Sequence, residues 1–126
     1  MLALETIRGH RVVAAPSAID ALMSAAESVA LRFAPDELFV AGDEVDFSVD
    51  DAHGIVVPEA GFVGCWLDPS QLSAVARHIE WTLPTSRPAV AQGFVAGVPA
   101  KLWLGADRSL ILCAAPYAAE LTERLR

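Results

Sequence analysis

The sequence predicts an α+β fold: two β-α-β-β units sharing one antiparallel or mixed sheet, ferredoxin-like, closed by a C-terminal helix. Three observations carry this expectation. Apolar residues recur at helical spacing in three places, each beginning close to a proline. Two pairs of apolar runs flank short turn-forming groups, the mark of hairpins. The element order is strand, helix, hairpin, then the same again, then a helix, so one architecture is used twice.

Val12-Val13 reads as the strand that leads into the first helix. Pro16-Ser17-Ala18-Ile19-Asp20 opens that helix, with Ser17 as the expected cap and Asp20 three residues on. Ile19, Leu22, Met23 and Ala26 form its apolar face. Ala30 to Phe33 and Leu38 to Ala41 flank Ala34-Pro35-Asp36-Glu37, giving the first hairpin. Phe62 to Leu67 reads as a strand running straight into the second helix. There Asp68 caps, Pro69 takes the first helical position and Gln71 completes a capping box. Leu72, Val75, Ala76 and Ile79 make the buried stripe, and Pro84 is the latest point at which this helix can end. Ala89 to Val95 is a strand, Gly97-Val98-Pro99 a bend, and Lys101 to Leu104 with Leu110 to Cys113 the second hairpin. Pro116 starts the last helix, where Tyr117, Leu121 and Leu125 recur and Glu120 pairs with Arg124.

The 126 residues suit a single domain spanning 1–126, with 42–61 as an acidic connector between its halves. The connector holds one short strand candidate, Ile55-Val56-Val57. A 54% hydrophobic composition supplies a core and argues against disorder. No apolar run reaches the roughly 18 residues of a membrane span. The start has an early acid and no apolar stretch after a basic one, so a cytoplasmic location is expected. The net charge of −7 and the scattering of nine Lys and Arg argue against nucleic acid. Cys65 and Cys113 sit in apolar runs and are expected as buried free thiols.

No catalytic motif stands out. Asp46, Asp50, Asp51 and His53 are oxygen and nitrogen donors that a divalent metal could use, but their spacing fits no calcium loop, so no metal site is expected. His10, His53 and His78 have no zinc-like spacing. Cys65 with His78 would make a nucleophile and base, yet Cys65 lies between Gly64 and Trp66 in an apolar strand. The glycines match neither a dinucleotide fingerprint nor a phosphate loop. Trp66, Trp81 and Trp103 remain as candidate contacts for a flat ligand or a protein partner, with Trp81 the best placed for partial exposure.

The run from Ala91-Gln92 through Ala96-Gly97-Val98-Pro99 to Trp103 resembles the closing segment of the sarcosine oxidase gamma subunit family. Pro116 to Leu125 is similar to that family's final helix, and Arg32 to Val40 resembles its Pro-Asp-Glu hairpin, where the family has Trp at the position of Leu38. The resemblance implies a fold related to the folate-binding domain of the glycine-cleavage T protein. It implies a subunit without catalytic residues of its own, in a larger flavin-dependent oxidoreductase. No cofactor is then bound by this chain, with folate or flavin only in a partner. A protein partner or homo-oligomer is expected, without nucleic acid or membrane. The alternative reading is a stand-alone module for a small folate-like ligand.

Overall fold

The structure, a computed structural model, describes residues 2–25, 28–45 and 47–126. The chain divides into two compact units, Ile7–Ala60 and Met1–Thr6 with Gly61–Arg126. The strands are β1 (Glu5–Thr6), β2 (Gly9–Val13), β3 (Ala30–Ala34), β4 (Glu37–Ala41), β5 (Ile55–Glu59), β6 (Phe62–Leu67), β7 (Ala89–Val95), β8 (Val98–Leu104) and β9 (Ser109–Ala114). The helices are α1 (Pro16–Ala25), α2 (Pro69–Ala76) and α3 (Ala118–Arg124), the last entered through a 3-10 turn at Ala115–Tyr117. The α+β class, the antiparallel strands and the C-terminal helix are as expected.

The single shared sheet is not found. The strands form a four-stranded sheet, β3-β4-β2-β5, and a five-stranded sheet, β1-β6-β9-β8-β7, both antiparallel. The reason lies in the two central strands. Val12 of β2 has Leu38 on one side and Val56 on the other, so both backbone edges of β2 are occupied. β6 pairs with β9 along its whole length and with β1 at Val63 and Gly64. β2 therefore has no edge left to join the other half. The two-residue β1 carries too little pattern to be read from sequence.

In the unit Ile7–Ala60, β2, α1, β3 and β4 form a split β-α-β arrangement, with β4 seated between β2 and β3. Val12, Leu38, Val40 and Ala30 alternate onto the face that meets Ala18, Ile19 and Leu22 of α1. Met23 is exposed instead, and Ala26 lies outside the described residues. Ser17 is not the cap. The helix begins at Pro16, whose fixed φ and missing N–H suit the first position, so the cap position falls to Ala15. Its carbonyl accepts from the Ala18 and Ile19 amides. Asp20 instead pairs with Arg32, which also donates to the Pro16 and Pro35 carbonyls.

In the other unit, α2 and α3 contribute Val75 and Leu121 to a core with Leu67, Leu102, Leu104 and Ile111. The capping box at Asp68 forms as expected: its carboxylate accepts from Gln71 N–H, and Gln71 Oε1 accepts from Asp68 N–H, each at 2.8 Å. α2 ends at Ala76, so Ile79 reaches the core from the following segment. Ala96 and Gly97, at φ +50° and +78°, make the tight β7–β8 turn. Positive φ at both positions matches the twist of a hairpin and favours glycine. Arg124 donates to the Ala96 carbonyl at 2.8 Å, tying α3 to this turn.

Candidate functional site

Register decides where the three tryptophans go. Trp66 of β6 stands opposite Leu110 of β9, and Leu110 stands opposite Trp103 of β8. The two rings therefore flank a fully buried leucine on one face of the five-stranded sheet. Their centroids are 6.0 Å apart and their planes meet at 82°, an edge-to-face pair. Both are half-buried. The Arg108 guanidinium, from the β8–β9 turn, lies 3.7 Å from the centre of the Trp66 ring. A cation over an indole face is attracted by the ring quadrupole. Arg108 therefore covers one face of Trp66, and the two perpendicular rings form an aromatic cluster with a cation instead of a single flat surface.

Trp81 is elsewhere. It lies beyond the end of α2 and packs on the helix-bearing side of the same sheet, against the core there. Its ring covers Gly93, where an added Cβ would fall 2.6 Å from the indole nitrogen. Its N–H donates to the Phe94 carbonyl at 3.1 Å, and Ala96 N–H donates to the His78 carbonyl at 2.8 Å. These bonds satisfy backbone groups along β7, an edge strand. Trp81 is thus a closing side chain. Arg108 was not singled out from sequence; its place in a turn beside Trp103 was the available signal.

The remaining candidates have structural occupations. Asp51 Oδ2 accepts from the Ala15 amide (2.8 Å) and Oδ1 from the His53 amide (2.9 Å). The Ala15 bond, then the His53 bond, hold this carboxyl below its ordinary range. Asp51 therefore fastens the acidic loop to the start of α1. Asp46 lies outside the described residues, and no group of three metal-binding side chains occurs among the described residues. Cys65 and Cys113 are free. They sit on neighbouring strands but out of register, Cys65 facing Ile111 and Cys113 facing Val63. The Cys65 thiol donates to the Trp66 carbonyl, and burial pushes both thiols up, against thiolate formation.

Each unit also has a concavity of about 530 Å³. One lies beside α1, lined by Ala18, Ala21, Ala25, Phe47 and Asp50. The other lies beside α2, lined by Leu2, Val75, Arg77, His78 and Leu125. Among the described residues, no helix is long and apolar enough to cross a membrane.

No protein-family profile matches the sequence, and no curated protein matches it. Among solved structures, a chain of the heterotetrameric sarcosine oxidase from Corynebacterium sp. U-96, solved in complex with pyrrole 2-carboxylate, is similar. The TM-score is 0.69 at 15% sequence identity, over 98% of this chain and 81% of that one. The similarity spans both units and establishes a sarcosine oxidase subunit-like fold.

Proposed function

We propose that this chain is a non-catalytic, gamma-like subunit of a larger oxidoreductase. The observation that carries the reading is the fold match over nearly the whole chain to a component of a heterotetrameric oxidase. The occupations of Asp51, Cys65 and Cys113 support it, since each is committed to holding the fold. Fold alone does not transmit activity. The role proposed is therefore assembly, with flavin or folate chemistry in partner chains and a cytoplasmic location. Native mass spectrometry of the tagged protein from its own cells tests this. The expected result is a hetero-oligomer that includes a flavoprotein; a lone chain at every concentration overturns the reading.

A second reading has one observation in its favour. Trp66, Trp103 and Arg108 bring aromatic rings and a cation together, groups that an anionic aromatic ligand such as a folate would contact. Titration with tetrahydrofolate, followed by tryptophan fluorescence, tests it. Quenching that Arg108→Ala weakens supports this reading, and no quenching at about millimolar ligand removes it.

A further inference from the structure

The strand β5 is anomalous. Ile55, Val56 and Val57 are three successive aliphatic residues, exposed by 54, 38 and 43%. Ile55 stands opposite Val13, itself 37% exposed, and Val57 opposite Arg11. Val13, Ile55 and Val57 form the exposed margin of the sheet face opposite α1, because side chains alternate along a strand, while Leu31 and Phe39 farther across the same face are fully buried. Of the eight large exposed hydrophobics among the described residues, Val13, Ile55 and Val57 adjoin, whereas Met23 lies on α1 and Val56 on the α1 side of the sheet. A clustered apolar surface of this kind marks a contact face more often than a free one.

The charge around it says what kind of partner fits. Glu37, opposite Val13, and Glu59, two residues beyond Val57, lie on this face, and the unit Ile7–Ala60 as a whole has ten Asp and Glu against three Arg. Arg11 lies between Glu37 (2.9 Å) and Glu59 (2.8 Å), one cation against two carboxylates at the border of the patch. A second copy would bring acid onto acid across an isologous contact. Nucleic acid and anionic lipid are repelled for the same reason. Pro58 removes one backbone donor from β5, which disfavours addition of a further strand at this edge and leaves the side-chain face as the contact.

We infer that the face formed by Val13, Ile55 and Val57 is the docking surface for a different protein chain, one presenting apolar side chains ringed by Lys and Arg. This rests on the assembly role proposed above and specifies its surface. Opposite charge at the rim steers association and rejects wrong partners, while the apolar centre holds the complex.

The full-length protein is titrated with a short capped peptide of alternating Val and Lys, and with its counterpart carrying Glu for Lys, while backbone amide shifts are followed. The Lys peptide is expected to move the amides of Val13 and residues 55–57. It is expected to bind about tenfold tighter than the Glu peptide and to weaken between about 25 and about 300 mM salt. Ile55→Lys with Val57→Lys abolishes the effect, and Val57→Ser weakens it; both leave the amide spectrum dispersed, because these side chains are exposed. Shifts centred elsewhere, equal affinity for the two peptides, or self-association removed by Ile55→Lys overturns the inference. Co-purification from native cells separates the two failures. A partner kept by the Ile55/Val57 variant defeats this surface and leaves the assembly role standing. Absence of any partner from the unaltered protein defeats the assembly role itself.

Discussion

The two units repeat a strand-helix-hairpin plan but differ in charge. Ile7–Ala60 has three Arg against ten Asp and Glu; the remaining residues have six Lys and Arg against six acids. The whole net charge of −7 thus belongs to one unit. That unit has one helix and an exposed edge strand, β5. The other has two helices, a fifth strand, all three tryptophans and the larger apolar cluster. The same architecture supports a well-covered neutral body and an acidic one with apolar side chains left in water. Shared topology does not impose a shared surface.

The largest expected effect comes from emptying each core in turn. Leu38→Ala and Leu102→Ala each remove a fully buried side chain and should each cost about 2–5 kcal/mol. Urea unfolding followed by tryptophan fluorescence reads only the neutral unit, whereas far-UV circular dichroism reads both. Leu102→Ala is expected to shift the fluorescence midpoint, and Leu38→Ala to shift mainly the dichroism. Equal fluorescence shifts would show that the units unfold as one, and the contrast would not extend to stability.

Gly93→Ala tests the closure of β7. The new methyl must displace the Trp81 ring, so a cost of about 1–3 kcal/mol is expected, with red-shifted emission. Unchanged emission would mean that the ring accommodates it.

Acid acts on both units through similar groups. Asp51 and Asp68 each accept backbone N–H groups near a helix start, and both are held below the ordinary carboxylate range. A carboxyl with a lowered folded-state pKa stabilises above its unfolded value, about 3.9, and loses that contribution as pH falls through the folded value. Asp51→Asn and Asp68→Asn should therefore each flatten the fall in stability below about pH 4. Unaltered pH curves would show that these bonds do not persist in solution.

Salt should have the smallest effect. Raising it from about 20 to about 200 mM screens the self-repulsion of the acidic unit. Amide hydrogen exchange is expected to slow modestly in residues 7–60 and hardly at all in 61–126. Equal slowing in both would remove charge as the distinction.

Much of the fold could be read from local chemistry. The Asp68 capping box and the Pro35-Asp36 turn involve neighbours in sequence, where residue type dictates geometry; the bend expected at Gly97-Val98-Pro99 falls instead at Ala96-Gly97, and Val98-Pro99 opens β8. The division into two sheets could not be read, because it depends on which strands pair across long separations. Ser17 misled because proline preference outweighed it by one position. Trp66 and Trp103 were identifiable as candidates, but their pairing needed the register through Leu110. The exposure of Ile55-Val56-Val57 had no signal at all: an aliphatic run reads the same whether its faces are covered or not.

The pairing of β1 with β6 bears on the order in which the chain is made. A polypeptide emerging from the ribosome presents Glu5–Thr6 ahead of β2, yet its partner Val63-Gly64 follows more than fifty residues later. Ile7–Ala60, by contrast, contains every strand of its own sheet. The acidic unit can close while Gly61 onward is still untranslated, and β1, made before it, is then held waiting for a neighbour made after it.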